Sequence, residues 1–153
     1  MRGDLHKMRG DLHKMISLFV YGTLLEEISY GIMLRASSYY YENATFNGIL
    51  YSCGQFPFVK PSTDPKDIVH GEIHFINETS IIKVLDMYEG PLFNRQLHPV
   101  NVYGKEIYAW IYIGYIDGEF EQIKSGKWLE YARKDRRYFG DLTKYSLIKE
   151  GVI

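Results

Sequence analysis

The chain has one cysteine, Cys53, in 153 residues. That excludes an intramolecular disulfide and fits a reducing compartment, so a cytoplasmic location is expected. Net charge is also scarce: 18 Lys and Arg against 19 Asp and Glu leave −1. Neither the basic footprint of a nucleic-acid binder nor that of an anionic-membrane binder is present. No apolar run reaches the length that spans a bilayer. No linker-like stretch divides the chain. What is there is ordinary globular composition, 46% apolar, long enough for one core. Tyrosine is the exception, with 14 copies. Tyr serves rigid walls that also need a hydroxyl, and it serves plain β surfaces.

Residues 1–7 read Met-Arg-Gly-Asp-Leu-His-Lys, and residues 8–14 repeat them identically. A duplicated heptad without apolar periodicity is not a fold element, and without an apolar segment it is not a signal peptide. It reads as an artefact of how the chain was made or as a choice among three start methionines. Residues 15–153 are taken as one domain.

Ile16 to Tyr21 is apolar on both faces except Ser17, the pattern of a central strand. It stops at Gly22-Thr23-Leu24. Glu26 to Ala36 reads as a helix, and Ser37 to Asn43 is ambiguous. Thr45 to Ser52 reads as a strand with Gly48 marking a bulge or a close approach. Gly54 to Phe58 is a turn feeding another short strand, and 61–67 is a loop. Val69 to Ile76 is a strand. After it, Ile81, Val84, Leu85 and Tyr88 fall at i, i+3, i+4 and i+7, the buried stripe of a helix that Gly90-Pro91 ends. Val100 to Val102 and Glu106 to Gly114 form a hairpin around Tyr103-Gly104-Lys105. Trp128 to Tyr138 is a second clear helix, with Ser125 near its start, and Thr143 to Lys149 a short last one. Many short strands with helices clustered late indicate an α+β fold.

Two segments carry chemistry. Glu89 lies one turn after Leu85 and two turns after Ile82, so it sits at the edge of the buried stripe. Partial desolvation there, together with the negative end of the helix, disfavours its charged form and suits a group that takes and returns a proton. Tyr21 to Leu24 supplies the complement. Backbone N–H groups at a strand end are fixed donors for a developing oxyanion, and Gly22 permits close approach of a ligand.

These segments and others make the chain resemble the γ-glutamylcyclotransferase-like family, which includes γ-glutamylamine cyclotransferases and avirulence-induced proteins. The pieces run in order: Phe19 to Leu24, Gly48-Ile49-Leu50-Tyr51, Phe56-Pro57, Val69-His70-Gly71-Glu72-Ile73, Leu85 to Gly90, Ala109 to Ile113, and Ser125 to Trp128. The resemblance implies a small mixed β-barrel flanked by a few helices. It implies cyclisation of a γ-glutamyl group to 5-oxoproline, with an amine or amino acid released. Glu89 would be general base and then general acid, and Tyr21, Gly22, Thr23, Leu24 and Tyr112 would bind the substrate. The implied partner is a small γ-glutamyl compound, with no cofactor and no metal. Phe93-Asn94-Arg95 stands where the family usually has Tyr before Arg, and Glu26-Glu27 follow the loop where basic and polar residues are common. A non-catalytic small-ligand or protein-binding member of the same fold stays open as the alternative, and so does a different acyl transfer.

Other residues carry weaker signals. His70, Glu72 and His74 alternate onto one strand face, but no Cys or third His accompanies them as a zinc set requires. His98 reads as structural, and Cys53 as a buried free thiol. The run Arg133-Lys134-Asp135-Arg136-Arg137 reads as a solvated helix face.

Overall fold

The computed structural model describes residues 15–25, 30–54, 56–77 and 80–134. The duplicated heptad, Glu26 to Ser29, the end of the Trp128 helix, the basic positions after Lys134 and the helix expected at Thr143 to Lys149 lie outside these residues. Among the described residues there are seven strands and three helices. They are β1 (Ile16–Val20), α1 (Tyr30–Ser37), β2 (Ser38–Ser52), β3 (Pro57–Pro61), β4 (Ile68–Ile76), α2 (Ser80–Glu89), β5 (Phe93–Val102), β6 (Lys105–Gly114), β7 (Glu121–Gln122) and α3 (Trp128–Lys134).

Five strands close into a barrel. The sheet runs β2-β4-β1-β6-β5, and β5 returns to β2 through Thr45↔Asn101 and Phe46↔Val100. Every pairing in the ring is antiparallel except β1–β6, which is parallel through Leu18↔Trp110 and Phe19↔Ile111. The far end of β2 leaves the ring and pairs with β3 and β7. This is the mixed barrel with flanking helices that the sequence implied.

β2 is longer than expected. The ambiguous segment before Asn43 and the strand after Thr45 form one 15-residue strand. Its even-numbered residues face inward throughout, from Ser38 and Tyr40 to Leu50 and Ser52. The register slips once, between Ser38 and Tyr40. Gly48 marks close approach, not a bulge: a Cβ there would lie 2.6 Å from the Phe46 ring and 2.9 Å from the Lys60 carbonyl. β5 is also longer than read, because Phe93-Asn94-Arg95 belongs to the strand and not to a loop. The β5–β6 loop has two residues, Tyr103 at φ 53° and Gly104 at φ 80°, the tight turn that twisted hairpins favour.

β1 is buried on both faces, as its apolar run predicted. Phe19 points into the barrel with Phe46, Val69, Ile73, Phe75, Val100 and Ile111, and Trp128 of α3 packs into the same cluster. Leu18 and Val20 point outward into a second cluster with Leu34 of α1 and Ile81, Ile82, Leu85 and Tyr88 of α2. Ile82, not Val84, completes the buried stripe of α2; Val84 is exposed. Ser125 holds the Lys127 amide at 3.2 Å, just ahead of α3.

Candidate active site

The chain leaves the barrel sheet at Val20, whose partner is Glu72 on β4. It then enters a short 3₁₀ turn, Thr23–Leu25, closed by Leu25 N–H donating to the Gly22 carbonyl at 2.9 Å. The first N–H groups of any helical turn have no partner within it. Gly22 is needed here because the chain passes Pro57 closely: a Cβ would lie 2.6 Å from the Pro57 ring. The turn is held from three sides. Tyr88 of α2 donates its hydroxyl to Thr23 Oγ1. Arg35 of α1 donates to the Leu25 carbonyl at 2.5 Å. The Tyr21 hydroxyl donates to the Tyr112 main-chain carbonyl at 2.6 Å.

Glu89 is the last residue of α2. Gly90 follows at φ 79° and donates its N–H to the Asp86 carbonyl at 3.0 Å, the left-handed cap that ends a helix. This fixes where the half-buried Glu89 side chain starts. Glu89 lines a small, shallow cleft together with Tyr21, Gly22, Thr23, Leu24, Pro57, Tyr112 and the end of β1. All six residues singled out from the sequence therefore meet at one cleft, although Tyr21 and Tyr112 are 91 positions apart.

The cleft's electrostatics follow from burial. Burial pushes the Tyr21 phenol well above its ordinary value of 10, and the nearby Glu89 charge adds to the shift. Tyr112 moves the same way, by burial first, then by its hydrogen bond to Asp86 and the charges of Asp86 and Glu89. Both are neutral phenols at physiological pH.

Sequence reading missed the polar supports. Arg35 on α1, Asp86 and Tyr88 on α2, and Arg95 on β5 come together only through the packing of the two helices against the barrel. The His70, Glu72 and His74 face also resolves differently from a metal set. His74 is fully buried, with Nδ1 2.7 Å from Ser38 Oγ and Nε2 3.0 Å from Glu72 Oε1, while His70 is exposed. Glu72 in turn lies 3.6 Å from Arg35, the residue that holds the turn. His98 bonds Gln96 at 2.9 Å and packs on Phe46. Cys53 is partly exposed and not buried as expected.

Residues 18–130 match the family described as "Gamma-glutamyl cyclotransferase, AIG2-like". The chain belongs to that family. No curated protein matches it. Among solved structures, YkqA from Bacillus subtilis superposes with a TM-score of 0.65 at 27% identity, over 80% of this chain. The chain spans only 42% of YkqA. An AIG2-like protein from Mus musculus matches with a TM-score of 0.53 at 21% identity, over 69% of this chain and 82% of its own. The Arabidopsis thaliana protein At5g39720.1 matches with a TM-score of 0.58 at 19% identity, over 90% and 93%. The last two likenesses concern the fold. Among the described residues, no helix is long and apolar enough to cross a membrane.

Proposed function

We propose that the chain is a γ-glutamylcyclotransferase-type enzyme acting on a small γ-glutamyl compound in the cytoplasm, with Glu89 as its acid–base group. The observation that carries this reading is the meeting of Glu89 with the Tyr21-to-Leu24 turn at one cleft. The turn binds the glutamyl end and offers backbone and hydroxyl donors to the oxygen that becomes negative. Glu89 takes a proton from the substrate's α-ammonium. The freed amine attacks the substrate's own γ-carbonyl carbon and forms the five-membered ring. The C–N bond to the leaving amine then breaks as Glu89 returns the proton to that nitrogen. The ring nitrogen gives its extra proton to the freed Glu89 carboxylate, which passes it on to the released amine. Nucleophile and electrophile are already tethered, so the protein needs only to fold the substrate, carry protons from the α-nitrogen to the leaving nitrogen and hold an oxyanion. These steps use no cofactor and no metal.

The test is release of 5-oxoproline from a panel of γ-glutamyl amines, γ-glutamyl amino acids and glutathione. Product from one class, reduced at least about 100-fold by Glu89→Gln, is the expected result. Equal behaviour of wild type and variant across the panel would sink the acid–base role. It would favour a ligand-binding member of the fold.

A further inference from the structure

Tyr112 presents an acceptor, not a donor, to the cleft. Its hydroxyl donates to Asp86 Oδ1 at 2.7 Å. A tyrosine hydroxyl carries one proton, so the remaining capacity of that oxygen is lone pairs. Arg95 holds Asp86 in its accepting role. Arg95 Nε–H donates to Asp86 Oδ1 at 3.0 Å, and Nη2 donates to Oδ2 at 3.3 Å. The guanidinium sits 4.7 Å over the Trp110 ring, and Arg95 pairs directly across from Tyr112 in the β5–β6 ladder. Two-point contact of this kind fixes both the position and the plane of a carboxylate. Asp86 also lies three positions before Glu89 on α2, so the two carboxylates share a side of the helix.

The Thr23 side of the cleft has the reverse polarity. The Tyr88 hydroxyl donates to Thr23 Oγ1, which leaves the Thr23 proton as a donor beside the first amides of the turn. The cleft is thus divided into a donor wall at Thr23 and an acceptor wall at Tyr112 and Glu89.

We propose that Tyr112 accepts a hydrogen bond from the substrate's α-ammonium, and that Asp86 and Arg95 are positioning residues that hold its hydroxyl in that polarity. The proposal rests on the cyclotransferase reading above. An ammonium has three N–H groups. Glu89 removes one proton, and Tyr112 keeps hold of a second N–H during and after that transfer. The nitrogen cannot then rotate freely, and its new lone pair stays aimed at the γ-carbonyl carbon. The hydroxyl proton of Tyr112 stays on its own oxygen and directed at Asp86 throughout, so no proton enters or leaves the reaction through this wall.

The test measures binding in the Glu89→Gln background, where turnover is removed. Two probes are compared: γ-glutamylmethylamide, and the same molecule without its α-amine, 5-(methylamino)-5-oxopentanoate. Tyr112→Phe keeps the ring and removes the acceptor. Asp86→Asn keeps the shape, but its amide must oppose either Arg95 or the Tyr112 hydroxyl. Each change is expected to weaken the ammonium-bearing probe about 10-fold and to leave the des-amino probe within about 2-fold. The double variant should lose no more than the larger single loss. Equal weakening of both probes would make the roles structural and overturn the proposal. An unaltered affinity for γ-glutamylmethylamide would overturn it too, as would failure of both probes to bind. Selective weakening without any 5-oxoproline from wild type would keep the ammonium site and remove the cyclotransferase reading.

Discussion

The Tyr21 hydroxyl donates to the main-chain carbonyl of Tyr112 at 2.6 Å. This bond joins the residue that opens the turn after β1 to the residue that lines the facing wall on β6. Its donor is buried, and so is its acceptor residue.

Tyr21→Phe removes the donor and leaves a buried carbonyl with one partner fewer. A loss of about 1–2 kcal/mol in unfolding free energy is expected, read from urea denaturation. The same variant should dull the alkaline response. Tyr21 and Tyr112 titrate above 10 in the folded chain and near 10 when unfolded. Their contribution to stability is therefore complete below pH 10 and is lost as pH rises beyond it. An unchanged slope of stability against pH above 10 in Tyr21→Phe would contradict this account.

His74 acts on the acid side. Burial lowers its pKa below the ordinary 6.5, against the opposing pull of Glu72, with Arg35 adding to the lowering. The unfolded chain therefore binds this proton first as pH falls. Stability should be full above pH 6.5 and decline below it towards the lower folded value. His70 and His98 shift the same way. Glu72→Gln removes the upward pull, so the His74 imidazole signal in an NMR titration should move to still lower pH. Movement to higher pH would show that the Glu72 contact is misassigned.

Gly71 admits no side chain. A Cβ there would lie 2.1 Å from the Val20 carbonyl and 2.8 Å from the Phe19 ring. Gly71→Ala must push β1 off β4, at a cost of roughly 3 kcal/mol or more. Gly104→Ala meets open space and carries only the strain of φ 80°, about 1 kcal/mol. Thermal unfolding of the two variants should separate them clearly, and comparable melting temperatures would refute the packing argument.

On α2, Leu85 is fully buried and Val84 is 37% exposed. Leu85→Ala should cost about 2–5 kcal/mol and Val84→Ala under about 1 kcal/mol by denaturant unfolding. A large loss at Val84 would mean that this face is covered.

Much of this architecture was legible in the residues. β1 showed itself because an apolar run buried on both faces has no polar alternation, and Gly90 showed the end of α2 because left-handed caps favour glycine. The six residues at the cleft lay on the motifs that carry the family resemblance. What escaped was long-range. The start of β2, with Tyr39-Tyr40-Tyr41, alternates a buried ring with exposed ones, and tyrosine suits both faces, so periodicity could not assign it. The first part of β5, before Val100, shows no clean alternation of buried and exposed residues. Pro99 is accommodated within the strand, opposite Tyr108. Val84 and Ile82 differ by half a helical turn, and only the packed partner decides which is covered. Asp86 and Arg95 both fall on or beside family motifs, but their pairing was not legible, since it depends on α2 lying beside the β5–β6 hairpin.

The parallel pairing of β1 with β6 joins segments about 92 positions apart. One side of the cleft is written near the start of this fold and the other near its end, so neither side exists as a partial recognition surface while the chain is being synthesised. Such distant contacts slow folding, because the intervening loop entropy is lost before any contact rewards it. A molecule that occupies the cleft bridges residues from both strands of that pairing. Its affinity should therefore appear as resistance of the entire barrel to proteolysis, and not as local protection of one loop.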